Sequence, residues 1–245
     1  MSSEKTTTGQ AAWRATVMAA AQEQAIQEAR DLWHLDNGEP LPFDHRYEHV
    51  AQVTALALRL ARTLNADSPV DFEVVEAASW LHDVRKQQPK HALAGAKAAR
   101  EILAATDFPP AKIEAVADVI SKHEGLFRPT GTPPLEPLEA AILWDADKLS
   151  KLGIQSVLTG LSTLHVFGKD LAARWHYVAE FAQNVLVRTV ESMNTKPARQ
   201  MAERRYRNML ALLSLWAREA LEAGVELQGD IDFEISFDYD GLSEE

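Results

Sequence analysis

Histidine and aspartate carry the most chemistry in the spacing of this chain. His49 stands in helical register with Val53, Leu56 and Leu60, His82 with Val75 and Ala78, and His123 with Ile113, Val116 and Ile120. Three imidazoles thus fall on apolar faces of three different helices. A lone helical histidine is ordinarily a hydrogen-bonded core or surface residue. Three buried without partners would cost about 1–3 kcal/mol each. Convergence on a shared metal ion removes that cost, because each ring nitrogen becomes a ligand. Asp83 directly follows His82, and Asp147 lies in a further apolar segment. Buried aspartates without a counter-charge are costly too, so both argue for a cation. Adjacent helical residues diverge by about 100°, so His82 and Asp83 can serve one ion only where a helix end presents both. A carboxylate among imidazoles suits a divalent ion such as Mn, Fe, Zn or Mg.

Helices must position these residues. Alanine-rich stretches of helical periodicity run over Ala11–Leu35, His45–Asn65, Asp71–Val84, Lys90–Ala105 and Ala111–His123. Further stretches run over Leu138–Leu152, Leu171–Met193 and Pro197–Ala223, with Thr195 placed to cap the last. Asn37, Gly38, Pro40 and Pro42 break the chain after the first stretch, and Pro110 suits the first turn of the fifth. Gly125–Pro137, with two glycines and four prolines, predicts a loop. One segment has a different period. Ile231, Phe233, Ile235, Phe237 and Tyr239 alternate with polar residues, mostly acidic, as a strand with one apolar face would. A lone strand is unstable. It is expected to cover the helical core, or to pair with the same strand of a second subunit across a two-fold axis, giving a homodimer.

Composition narrows the chemistry. The 245 residues include no cysteine, which excludes disulfides, thiolate metal sites and cysteine nucleophiles. A formal net charge of −11 disfavours a nucleic-acid polymer as partner. A small phosphorylated substrate needs only a local positive site, which a metal ion supplies. No run of about 18 apolar residues is present. The polar Met1–Gln10 segment lacks the pattern of a secretory signal. A cytoplasmic location and no membrane contact are expected.

The residues in order also resemble a known family. His49, the pair His82–Asp83 and Asp147 match the H…HD…D signature of the HD superfamily. RYEHVAQVTALALRLA is similar to the helix of the first ligand, AASWLHDVRK to the HD helix, and ILWDADKLSKLG to the closing segment. MNTKPARQMAERRYRNM resembles the C-terminal helix of uncharacterised phosphohydrolases of that superfamily. The resemblance spans roughly residues 40–215. It implies an all-α fold: an HD-domain helical bundle with additional N- and C-terminal helices, and the short C-terminal strand beyond them. The expected divisions are an N-terminal extension at 1–40, the HD core at 41–170, C-terminal helices at 171–228 and an acidic tail at 229–245.

The same resemblance implies a divalent metal ion (Mn, Fe, Mg, Zn or Ni) held by His49, His82, Asp83 and Asp147. The family pattern Ala-Asp-x-Leu selects Asp147, whereas the apolar stripe through Leu138, Ile142, Leu149 and Leu152 would turn Asp145 inward. His91 and His123 are placed like the extra histidine pair of two-metal members, in which Asp83 would bridge the ions. Alternatively, one ion is bound and this pair contacts substrate phosphate. The implied reaction is hydrolysis of a phosphate ester or phosphoanhydride in a small soluble substrate, such as a nucleotide. Asp83 would orient the attacking water, and Lys86, one helical turn on, would neutralise phosphate charge. Arg128, in the loop after His123, is a second candidate for the phosphate. Two alternatives share the scaffold: a non-catalytic nucleotide-binding regulator and a di-iron oxygenase.

Overall fold

A computed structural model describes residues 12–36, 38–41 and 46–227. The described residues are helical, without a strand. The alternating segment Ile231–Tyr239 lies outside them. The chain divides into two compact units. The first takes the described residues up to Gly125 together with Gly131–Ser150 and Asn194–Ala198. The second takes Leu126–Thr130, Lys151–Met193 and the described residues from Arg199 onward. The first unit keeps the first helix with the histidine-bearing ones.

In the first unit, α1 (Ala12–Trp33) buries Trp13, Val17, Ala21, Ala25 and Ala29, a row at four-residue spacing. Its first amides, at Ala12 and Trp13, donate to the carboxylate of Asp107 at 3.1 and 2.6 Å, which satisfies groups every helix start leaves open. The next helix, α2 (Arg46–Leu64), buries His49 along with Val53, Leu56 and Leu60. It packs on α3 (Phe72–Leu81) and on α6 (Leu138–Leu149). Asp71 caps α3, accepting from the amides of Glu73 and Val74. This helix stops at Leu81, short of the expected Val84. A run of tight turns follows, with Val84 N donating to Leu81 O and Lys86 N to Asp83 O. His82 and Asp83 therefore stand on a helix end.

Two shorter helices complete the frame. α4 (His91–Ala104) packs on α5 (Ile113–Ser121) through a face rich in alanine. Gly95 lets α4 approach the turn after α3: a Cβ there would stand 3.0 Å from His82 O. Lys90, just before α4, adopts φ 53°, a left-handed conformation uncommon outside glycine, and so aims His91 from the first helical position. α6 is buried on all sides from Ala140 to Leu149. That corrects the expectation of an amphipathic stripe, because Asp145 and Asp147 are both inward.

The second unit contains α7 (Ile154–Ser162), which the sequence periodicity does not predict, and α8 (Leu171–Phe181), capped by Asp170. The expected continuous helix to Met193 is interrupted by a π-turn over Ala182–Leu186 before α9 (Val187–Glu191). The long α10 (Lys196–Glu222) has its first residues, to Ala198, in the first unit and the rest in the second. Trp175 is fully buried, and its Nε1 donates to Leu213 O at 3.0 Å. No helix among the described residues is long and apolar enough to cross a membrane.

Candidate metal centre

Four elements of the first unit deliver imidazoles to one carboxylate. His49 comes from α2, His82 from the turn after α3, His91 from the start of α4, and His123 from just beyond α5. Asp83, with its side chain 1% exposed, lies among them. Its Oδ2 is 3.6 Å from His49 Nε2 and 3.7 Å from His82 Nε2. Its Oδ1 is 3.4 Å from His123 Nε2 and 3.8 Å from His91 Nε2. Two triads result, His49–His82–Asp83 and Asp83–His91–His123, each with its ligand atoms within 4.8 Å of one another.

The opposite ring nitrogens explain why the Nε2 atoms face inward. His82 Nδ1 donates to Ser79 O at 2.7 Å, and His123 Nδ1 donates to Ile120 O at 2.6 Å. Ser150 Oγ donates to Asp147 O, so its 3.0 Å contact with His49 Nδ1 has the ring donating. In all three rings the proton sits on Nδ1 and the lone pair on Nε2, as metal-ligating histidines are ordinarily arranged. The Nε2 atoms of His49 and His82 are 3.4 Å apart. Two lone pairs facing one another at that distance call for a cation or a proton between them. His123 Nε2 is buried without a hydrogen-bond partner. The donor set therefore fits a divalent ion on each side of Asp83.

Asp147 Oδ1 stands 3.3 Å from His49 Nε2. Its Oδ2 pairs with the buried Lys148 ammonium, which also donates to His123 O at 2.8 Å and lies over the Trp144 ring. Lys148 is thus occupied inside the unit. Asp145 does different work. It accepts from the amides of Asn194 and Thr195 and from their side chains at 2.7–3.0 Å, pinning the start of α10. Lys86 Nζ donates to Asp83 Oδ1 at 3.1 Å and to His91 Nε2 at 3.2 Å. Arg128 belongs to the segment 126–130 of the second unit.

Sequence reasoning missed Arg46, Ser150 and Glu28. Arg46 Nη1 donates to Asp83 Oδ2 at 3.0 Å. Its place three residues before His49 on the same helix was the one available signal. Ser150 had a similar one, three residues after Asp147. Glu28, which holds Arg46 from α1, had none.

Electrostatics follow the burial. Burial pushes His82 down to about 3, against the pull of Asp83 and Asp147, so the ring is neutral and its lone pair available. Burial alone would raise Asp83, but the neighbouring His82, His123 and His49 rings and the Lys86 ammonium hold it well below the usual carboxylate range. Burial and Lys86 also lower His91. Asp145 is raised by burial despite its four hydrogen bonds.

The HD domain family matches residues 46–152, which contain every member of both triads and Asp147. Among solved structures, the chain is similar to YpgQ of Bacillus subtilis in complex with ADP, at 20% identity and a TM-score of 0.57, covering 84% of this chain and 97% of that one. It is similar to an HD-superfamily hydrolase of Bacillus thuringiensis, at 20% identity and 0.53, covering 82% and 97%. A predicted HD superfamily hydrolase from an uncultured Thermotogales bacterium matches at 20% and 0.50, covering 85% and 91%. No curated protein matches the chain. Over residues 46–152, then, the chain matches the HD domain family.

Proposed function

We propose that this chain is a metal-dependent phosphohydrolase that cleaves a phosphate ester or phosphoanhydride of a small soluble substrate. The observation that carries this reading is the pairing of four imidazole Nε2 atoms around the two oxygens of Asp83, two to each. Three of those rings have Nδ1 committed as a donor. His49, His82, Asp83 and Asp147 would hold one divalent ion, and Asp83, His91 and His123 a second. Such ions supply Lewis acidity toward a phosphoryl oxygen and a hydroxide nucleophile near neutral pH.

The chain's own groups do the rest. Asp83, ionised and fixed by Arg46 and Lys86, offers a hydrogen-bond acceptor that orients an attacking water. Lys86, its side chain 31% exposed, is placed to swing from Asp83 onto a substrate phosphate. The acidic surface and the enclosed donor set favour a small phosphorylated molecule over a polymer. The ADP complex of the Bacillus subtilis relative makes nucleotides the first substrate class to assay.

The test is phosphate release from nitrophenyl phosphate and a nucleotide panel by protein stripped of metal and reloaded with Mn, Mg, Zn, Ni or Fe. Turnover that needs the metal supports the reading. A protein that binds these ions yet releases no phosphate from any substrate would return it to a nucleotide-binding role.

A further inference from the structure

The matched HD domain begins at residue 46, yet α1, which precedes it, reaches the metal centre. Glu28 of α1 is buried. Its Oε1 accepts from Arg46 Nε at 3.2 Å and from Nη2 at 3.0 Å, while Nη1 of the same guanidinium donates to Asp83 Oδ2. Glu28 Oε2 is also buried, with no hydrogen-bond partner among the described residues. Leaving a carboxylate oxygen in that state is costly, so packing alone is a poor account of a glutamate here.

The contact with Arg46 supplies a better one. Oδ2 is the Asp83 oxygen that faces His49 and His82. A guanidinium and a divalent cation would therefore share one carboxylate oxygen, and like charges so close repel strongly away from water. Lys86 raises the same conflict at Oδ1, but its side chain is 31% exposed and can withdraw into solvent. The side chain of Arg46 is 16% exposed and gripped on two nitrogens, so it stays. Its charge needs a permanent neighbour of opposite sign, and Glu28 is that neighbour.

We propose that Glu28 is a positioning residue of the metal centre: it restrains Arg46 and offsets its charge, leaving Asp83 Oδ2 able to take a divalent cation. α1 then belongs to the centre as a working part. The inference rests on the metal centre proposed above.

The experiment is manganese titration of the full chain by calorimetry, after chelator treatment, in a double-mutant cycle of Glu28→Gln and Arg46→Gln. Glu28→Gln alone is expected to weaken manganese binding about tenfold, within the range of coupling between touching charged residues. In the Arg46→Gln background the same change is expected to shift affinity by less than about twofold, because the charge it offsets is gone. Equal weakening in both backgrounds overturns the proposal, and so does no weakening in either. Should Glu28→Gln fail to fold, Glu28→Asp keeps the charge, shortens the reach and is read in the same two backgrounds. Wild-type protein that takes up no manganese overturns the metal centre itself, and this inference with it. That result is distinct from a wild type that binds while the cycle shows no coupling.

Discussion

Asp83 is subject to opposing forces. Burial favours its neutral acid, but Arg46, Lys86 and the surrounding imidazoles keep it ionised. Removing it strips both triads of their shared oxygen atoms and leaves Arg46 with less compensation. Asp83→Ala is therefore expected to abolish metal uptake and phosphate release. The loss should exceed the roughly 10–100-fold typical of changes one contact removed from a metal. Circular dichroism should show the helix content retained; full turnover in the variant would refute the assignment. His91→Ala should lower bound metal from about two ions to one by elemental analysis. Unchanged metal with a raised KM would make His91 a phosphate contact instead. Much at this scale was legible in sequence. His49 and His123 sit in apolar registers, and the HD dipeptide is explicit. The neighbours that set each ring's tautomer were not, since two of the three are backbone carbonyls, which every residue carries.

At the scale of elements, α6 shows where periodicity fails. A helix with one wet face reports its buried side through spacing, but α6 is buried throughout from Ala140 to Leu149. Its stripe thus had no power to choose between Asp145 and Asp147. Contacts make the separation: Asp147 lies against His49, and Asp145 holds Asn194 and Thr195. Asp145→Ala should destabilise the fold by about 1.5–3 kcal/mol, as expected for lost hydrogen bonds to a charged group. Metal content per folded molecule should stay the same, measured by urea unfolding alongside elemental analysis. Metal loss without destabilisation would exchange the two roles. The interrupted helix at Ala182–Leu186 and the unforeseen α7 have a related cause. A π-turn is a single-turn bulge inside an otherwise helical run, with no residue type of its own to mark it, and α7 has one buried residue, Val157, to mark it.

For the molecule as a whole, the buried neutral histidine ties stability to pH. His82 titrates near 3 when folded and from its ordinary value of 6.5 when unfolded. Between those values the unfolded chain binds the extra proton, so stability falls as pH drops from 6.5 toward 3. Asp83, also depressed, adds a loss of the same sign below its ordinary 3.8. Metal acts the other way: at a concentration a hundredfold above its dissociation constant it should add about 2.7 kcal/mol. Thermal melts from pH 7 to 4, with chelator and with manganese, should show a falling melting temperature and a metal increment that shrinks with acid. A metal increment that did not depend on pH would contradict histidine ligation. From its sequence alone, the chain determined a helical architecture, a chemistry restricted to imidazole and carboxylate, and the order of the candidate ligands, because periodicity and residue type are local properties. Tertiary structure alone decided which oxygen of Asp83 each ring faces, that Asp147 rather than Asp145 adjoins His49, and that Glu28 holds Arg46. These are distances between residues far apart in the chain, as in the Ser150–His49 hydrogen bond across 101 positions, and packing sets them without leaving a periodic trace.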